Sequence, residues 1–122
     1  MSTLESIRKD LHQALKRLDE VLAKDKTEEV RDSAVLRFEI VYELAWKFLK
    51  LLLQEQHGIE CRSPKSCLRE AYQQGMIDYD QGWLDMVDMR NRLTHIYSLD
   101  EADEVYERLP EIRKRLTQLE DL

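Results

Sequence analysis

From about Asp32 to His57, apolar residues recur at helical spacing around a broad arc. Ala34, Phe38, Val41, Ala45, Phe48 and Leu52 form one stripe, and Val35, Tyr42, Trp46, Leu49 and Leu53 widen it. A helix lying on the surface of a core needs a stripe wide enough for one contact layer. This face is too broad for one neighbour, so it predicts the central helix of a bundle, or a helix that also faces a second subunit. Asp32 or Thr27 is placed to cap its start. Gly58 after His57, followed by Ile59, predicts a left-handed stop, with His57 in the last turn where a cation suits the helix dipole.

The rest of the chain supplies cover. Leu4, Ile7, Leu11, Ala14, Leu18 and Val21 predict a first helix from about Leu4 to Lys24, with Ser2 and Glu5 as a capping box. His12 lies beside that stripe and is expected on the surface. Residues 24 to 32 are charged and aperiodic, hence a connection. Ser63-Pro64 reads as N-cap and first residue of a short helix ending at Gly75, with Cys67, Leu68, Ala71 and Tyr72 as its buried edge. Asp78 and Gln81 predict the next start, and Trp83, Met86, Val87, Leu93 and Ile96 point inward. Ser98 and Glu101 open a last helix carrying Ala102, Val105, Leu109, Ile112, Leu116 and Leu119. Pro110 lies inside this pattern and predicts a kink, or a break into two helices.

With apolar residues at 43%, charged residues at 36%, three Gly and two Pro, strands have little vocabulary. The expectation is an all-α chain: one domain over residues 1–122, folded as an antiparallel up-down helical bundle with four main helices and one short helix. Its formal net charge of −6 argues against a protein that coats nucleic acid, which needs a positive surface. Cys61 and Cys67 have no partner at zinc-ligand spacing and read as reduced thiols. No run approaches the ~18 apolar residues of a membrane span, and no signal-like leader is evident. Those features predict a soluble, cytoplasmic protein.

Most familiar chemistry is missing. There is no glycine-rich phosphate loop, no HExxH, no Gly-x-Ser-x-Gly and no metal cluster, so neither a metal nor a cofactor is expected. Asp78-Tyr79-Asp80 resembles a magnesium-binding pair but sits at a helix start, where acidic residues favour the dipole anyway.

One stretch concentrates reactive groups: Arg90-Asn91-Arg92-Leu93-Thr94-His95-Ile96-Tyr97. Asn91 and His95, four apart, share a helical face. Arg90 and His95, five apart, diverge by about 140° on a regular helix. They reach a common cleft only if the long arginine swings back or if two copies of the helix meet across a dimer axis. Such a pocket suits phosphodiester chemistry without a metal. Histidine exchanges a proton near neutral pH, and the 2′-hydroxyl of RNA is a built-in nucleophile. Arginine supports the charge on phosphorus, and Asn91 would hold the imidazole or a phosphate oxygen. The plain alternative is that Arg90 and His95 only satisfy Asp85, Asp88 and the backbone at a helix end. Arg62, Lys65 and Arg69 add a small positive excess, read as a solvated helix start or as the rim of an anion site.

Two stretches carry a family resemblance. Arg37-Phe38-Glu39-Ile40-Val41-Tyr42-Glu43-Leu44-Ala45-Trp46-Lys47 follows R-F-E-x-x-x-E-L-A-W-K, and Arg90 through His95 to Tyr97 follows R-x4-H-x-Y. In both, the chain resembles the nucleotidyltransferase substrate-binding proteins of the HEPN superfamily. The resemblance implies a homodimer partnered by a separately encoded minimal nucleotidyltransferase. In the toxin–antitoxin branch it implies a metal-independent ribonuclease with Arg90 and His95 as catalytic pair, Asn91 in support, and Tyr97 as the acceptor of AMP. It equally implies the quieter role of a non-catalytic subunit that binds nucleotide or substrate for the transferase, which the net charge of −6 favours. Glu39 and Glu43, four apart on one face, approach the same cleft with no assigned role.

Overall fold

The structure is a computed structural model that describes residues 3–93 and 99–122. Five helices follow one another: α1 (Leu4–Leu22), α2 (Glu28–His57), α3 (Pro64–Gln73), α4 (Gln81–Leu93) and α5 (Leu99–Glu120). The all-α bundle with one short extra helix is therefore what the chain forms, and no strand occurs among the described residues. The width of α2 has a direct cause: it packs against α1, α3 and α5. Its Phe38, Phe48, Leu49 and Leu52 are sealed from solvent, together with Leu11, Leu15 and Leu18 of α1 and Leu109, Leu116 and Leu119 of α5 in one core.

Helix ends follow capping chemistry, with shifts from the expected residues. Thr3, not Ser2, starts α1, its hydroxyl accepting from Ser6 N–H at 3.1 Å. Thr27 starts α2 and accepts from Val30 N–H at 3.0 Å. At the other end Gly58 takes φ +65°, which a side chain would resist, so that the N–H groups of Gly58 and Ile59 reach the carbonyls of Gln54 and Leu53. Ser63 caps α3 in a reciprocal box with Ser66. The start of α4 belongs to Asp80, not Asp78: its carboxylate accepts from Gly82 N–H at 2.8 Å, whereas Asp78 N–H donates to Gln118. The expected Ser98 start of α5 and the inward Ile96 lie outside the described residues.

Three other expectations are corrected. Pro110 does not divide α5, which is one helix from Leu99 to Glu120. The ring is exposed, and buried residues before and after it, Leu109 and Ile112, hold both halves to the same core. That burial outweighs the roughly 3 kcal/mol that an internal proline costs. Tyr72 is not a buried edge but 47% exposed, because the buried arc of α3 is already filled by Cys67, Leu68 and Ala71. Cys61 and Cys67 are not free thiols but a disulfide, with Cα atoms 5.1 Å apart. The Gly58 stop turns the chain back so that Cys61 meets the first turn of α3 beside Leu53. The cysteines thus give no argument for a reducing compartment. No helix among the described residues is long and apolar enough to cross a membrane.

Charged pairs tie α5 in place. Arg31, buried at the start of α2, and Lys26 both reach Asp103 of α5, at 3.3 and 3.1 Å. Arg113 reaches Asp19 of α1 and Arg115 reaches Asp80, each at 2.7 Å. Arg115 lies across Gly82 so closely that any side chain there would collide with its guanidinium.

Candidate functional site

Arg90 stands one turn from the described end of α4, on the side that faces α2. Its Nη2 donates to Glu43 Oε1 at 3.3 Å, and its guanidinium carbon lies 5.4 Å from the centre of the Tyr42 ring. The arginine is thus held between a carboxylate and an aromatic face, a cation–π arrangement that fixes its plane. The Nε–H is buried and has no hydrogen-bond partner among the described residues. Among the described residues, one single-point contact to Glu43 leaves most of the guanidinium fork uncommitted. That suits an arginine that has to receive an anion.

Glu43 is the hub of this group. Its Oε2 accepts from Trp46 Nε1 at 3.3 Å and lies 3.8 Å from Lys47 Nζ, while Oε1 serves Arg90. The spacing explains it: Trp46 and Lys47 follow Glu43 by three and four residues, which on a helix are its neighbours. Tyr42, buried beneath, has its hydroxyl pushed up to about 12, chiefly by burial, with Arg90 pulling the other way. It stays protonated at neutral pH and serves as a fixed neutral surface under the cation.

Among the described residues Arg90 pairs with neither Asp85 nor Asp88, the carboxylates of the plain alternative. Asp88 is taken by Lys65 of α3 at 2.7 Å, and Asp85 accepts from Gln81 at 3.4 Å. Arg90 instead uses a partner 47 residues away in sequence. Asn91 is exposed at the next helical position. His95 and Tyr97 lie outside the described residues. The structure therefore joins Arg90 to Glu43, Tyr42 and Trp46, three residues to which sequence reasoning gave no role in the site. The signal was present, since all three fall inside the R-F-E-x-x-x-E-L-A-W-K segment.

The face of α2 opposite the core carries Leu36, Ile40, Glu43 and Lys47, within about one-sixth of a turn of one another. Leu36 and Ile40 are 59% and 45% exposed. An apolar strip therefore runs directly into the carboxylate that holds Arg90.

Comparison with known proteins bears on this group. A family model described as "Nucleotidyltransferase substrate binding protein like" matches residues 4–121. A curated protein from Haemophilus influenzae (strain ATCC 51907 / DSM 11121 / KW20 / Rd), named "Probable ribonuclease HepT", is 38% identical over 77 residues. That match covers 60% of this chain and 53% of the relative, so it spans about half the relative's length. A crystal structure of a Thermus thermophilus protein superposes with a TM-score of 0.82 at 33% identity, covering 88% of this chain and 93% of that one.

Proposed function

Since the chain belongs to the nucleotidyltransferase substrate-binding family of HEPN proteins, we propose that it is the HEPN subunit of a two-protein system and cleaves RNA without a metal. The observation that carries this reading is Arg90, braced by Glu43 and Tyr42 with donors still uncommitted among the described residues, five residues before His95 in sequence. In the reaction, the 2′-oxygen of a ribose bonds to the adjacent phosphorus as the bond to the 5′-oxygen breaks. His95 takes the 2′-hydroxyl proton, and the leaving 5′-oxygen is protonated by an imidazolium or by water. Arg90 offsets the charge that builds on the non-bridging oxygens. The products are a 2′,3′-cyclic phosphate and a 5′-hydroxyl. Glu43 acts through Arg90, as a positioning residue. Asn91 supports the pair.

The active form is a homodimer built on the outer face of α2. Leu36 and Ile40 are exposed apolar side chains next to Glu43, and a two-fold contact there would bring two Arg90 sites together. A separately encoded minimal nucleotidyltransferase is the partner. It regulates the subunit by transferring AMP from ATP to the Tyr97 hydroxyl, with release of pyrophosphate. The phosphate added two residues from His95 would compete for Arg90 and close the site.

The test is RNA cleavage by the purified protein in excess chelator. Loss of cleavage in both Arg90→Lys and His95→Ala, with unchanged helical circular dichroism, is expected. Cleavage that survives both substitutions removes the catalytic assignment. The acidic net charge supports the second reading, a subunit that binds nucleotide for the transferase. It predicts nucleotide binding and stimulation of the partner with no RNA cleavage. Intact mass after incubation with partner, ATP and magnesium checks the AMP step, which should be absent in Tyr97→Phe.

A further inference from the structure

The short helix α3 buries Cys67, Leu68 and Ala71 and turns a different face outward. That face carries Lys65, Arg69 and Tyr72, spaced by four and three residues and so stacked along one side. Arg69 is exposed and makes no ion pair among the described residues, and the same is true of Arg62 in the loop before the helix. Tyr72 meets Tyr79 edge to face, ring centres 5.3 Å apart. Tyr79 is 72% exposed. Two aromatic rings that pack on each other in solvent contribute little to a core, and are the kind of surface on which planar ligands stack. Between them and α4 lies a cleft walled by Leu68, Arg69, Asp78 and Trp83. Trp83 Nε1 is itself buried without a hydrogen-bond partner among the described residues.

The position of this surface gives it a direction. Lys65 is bonded to Asp88, so the first turn of α3 lies beside the Arg90 end of α4. Tyr79 precedes the other end of α4, about 14 Å away along the axis at 1.5 Å per residue. Cations therefore lead from the tyrosine pair along α3 toward Arg90.

We propose that this face of α3, with Tyr79, is a track for single-stranded RNA approaching the Arg90 site. An unpaired base stacks on the Tyr72–Tyr79 pair, and flanking phosphates lie on Arg69 and Arg62. Stacking on tyrosine with cations beside it is the usual chemistry of single-strand binding, and it is indifferent to base identity. Asp78 at the cleft favours the base there, whose amino and imino N–H groups a carboxylate accepts, and turns the phosphate toward Arg69. This surface lies on a chain of net charge −6, so the local positive strip is what makes RNA contact feasible. The inference rests on the ribonuclease reading for its destination, but its own contacts are separate from Arg90 and His95.

The probe is a 2′-O-methyl single-stranded oligonucleotide, which lacks the nucleophile and stays intact, read by fluorescence anisotropy. Tyr72→Ala and Tyr79→Ala should each weaken binding about tenfold, with Tyr72→Phe close to the parent. Arg69→Gln should weaken binding and reduce the slope of log affinity against log salt by about 0.7, the value for one phosphate on a single strand. A 2-aminopurine base in the oligonucleotide should lose fluorescence on binding and keep it with Tyr72→Ala. Unchanged affinity and salt slope in the Tyr72→Ala/Arg69→Gln double variant, with helical content preserved, overturns the track. So does a double variant that binds RNA normally but loses the nucleotidyltransferase, which would make this a protein contact. A protein that binds through these residues yet never cleaves RNA leaves the track standing and removes the catalytic reading. Cleavage that persists with an inert α3 does the reverse.

Discussion

Replacing Glu43 by glutamine separates the site from the fold. Glu43 is 41% exposed and touches Arg90 through one contact of 3.3 Å. Exposed pairs of this kind contribute about 0.2–1 kcal/mol, so the melting temperature should fall by no more than a few degrees, on the order of 4 °C for each kcal/mol in a domain of this size. The glutamine carbonyl still accepts a hydrogen bond from Arg90 or from Trp46, but from one of them at a time, and its NH2 group then opposes the N–H of the other. The arginine loses a fixed charge partner and gains freedom to swing. Misplacing a catalytic group by about 1 Å costs up to 100-fold in rate. We expect Glu43→Gln to reduce kcat for RNA cleavage by about tenfold and Glu43→Ala by closer to 100-fold. KM should stay level or fall, since a carboxylate competing with phosphate has gone. The assay is single-turnover cleavage of a labelled RNA in chelator, with a thermal melt of each variant. Unchanged kcat in Glu43→Ala would refute the positioning role. A collapse of the melt by about 10 °C or more would show that the pair supports the fold instead.

Other expectations follow from the packing and the charged pairs. Phe38→Ala should cost about 3–5 kcal/mol, because the ring is wholly enclosed between helices, and denaturant titration checks it. Cys61→Ser/Cys67→Ser closes no loop in the unfolded chain. For a ring this small the loss is about 2 kcal/mol, seen equally on adding a reductant to the parent. Asp103 and Asp80 are held below the usual carboxylate range, the first by Lys26 and then Arg31, the second by Arg115 and then the Gly82 N–H. Their folded values are depressed, so their contribution is full above the unfolded carboxylate range and is lost as pH falls through the folded values. The melting difference between the parent and Asp103→Asn should therefore shrink steadily below about pH 4; a difference constant with pH refutes the linkage. Gly82→Ala should push Arg115 off Asp80 and return that carboxylate toward its ordinary value, measured by NMR titration.

Much of the bundle is legible in the sequence because apolar periodicity and helix stops are local signals. The arc of α2 announces several neighbours, and Gly58 and Ser63-Pro64 mark a stop and a start that the backbone adopts. What escapes depends on tertiary position. Ser2 and Thr3, or Asp78 and Asp80, are chemically equivalent caps until the core fixes which turn comes first. The Cys61–Cys67 pairing depends on the path of the loop after Gly58, which spacing alone does not state. Pro110 announces its cost, but not the burial of Leu109 and Ile112 that offsets it. Sequence proximity offers Arg90 the carboxylates of Asp85 and Asp88. Other residues claim both, and the true partner comes from α2.

That exchange of partners has a functional logic. Asp88 is two residues from Arg90, about 160° around α4, so the two side chains leave opposite sides of the helix. Asp88 meets Lys65, and that bond seats α3 against α4. Arg90 meets Glu43 and Tyr42 on the other side, where only part of its donor set is used among the described residues. Lys65→Ala should therefore leave Arg90 on Glu43, because the freed Asp88 still points away from it. The expected result is a rate of RNA cleavage within about twofold of the parent for Lys65→Ala and for Lys65→Ala/Asp88→Asn alike, with a stability loss of about 0.2–1 kcal/mol from the lost pair. A several-fold fall in Lys65→Ala that Asp88→Asn reverses would mean that the freed carboxylate does reach Arg90, and the account of separate faces would fall.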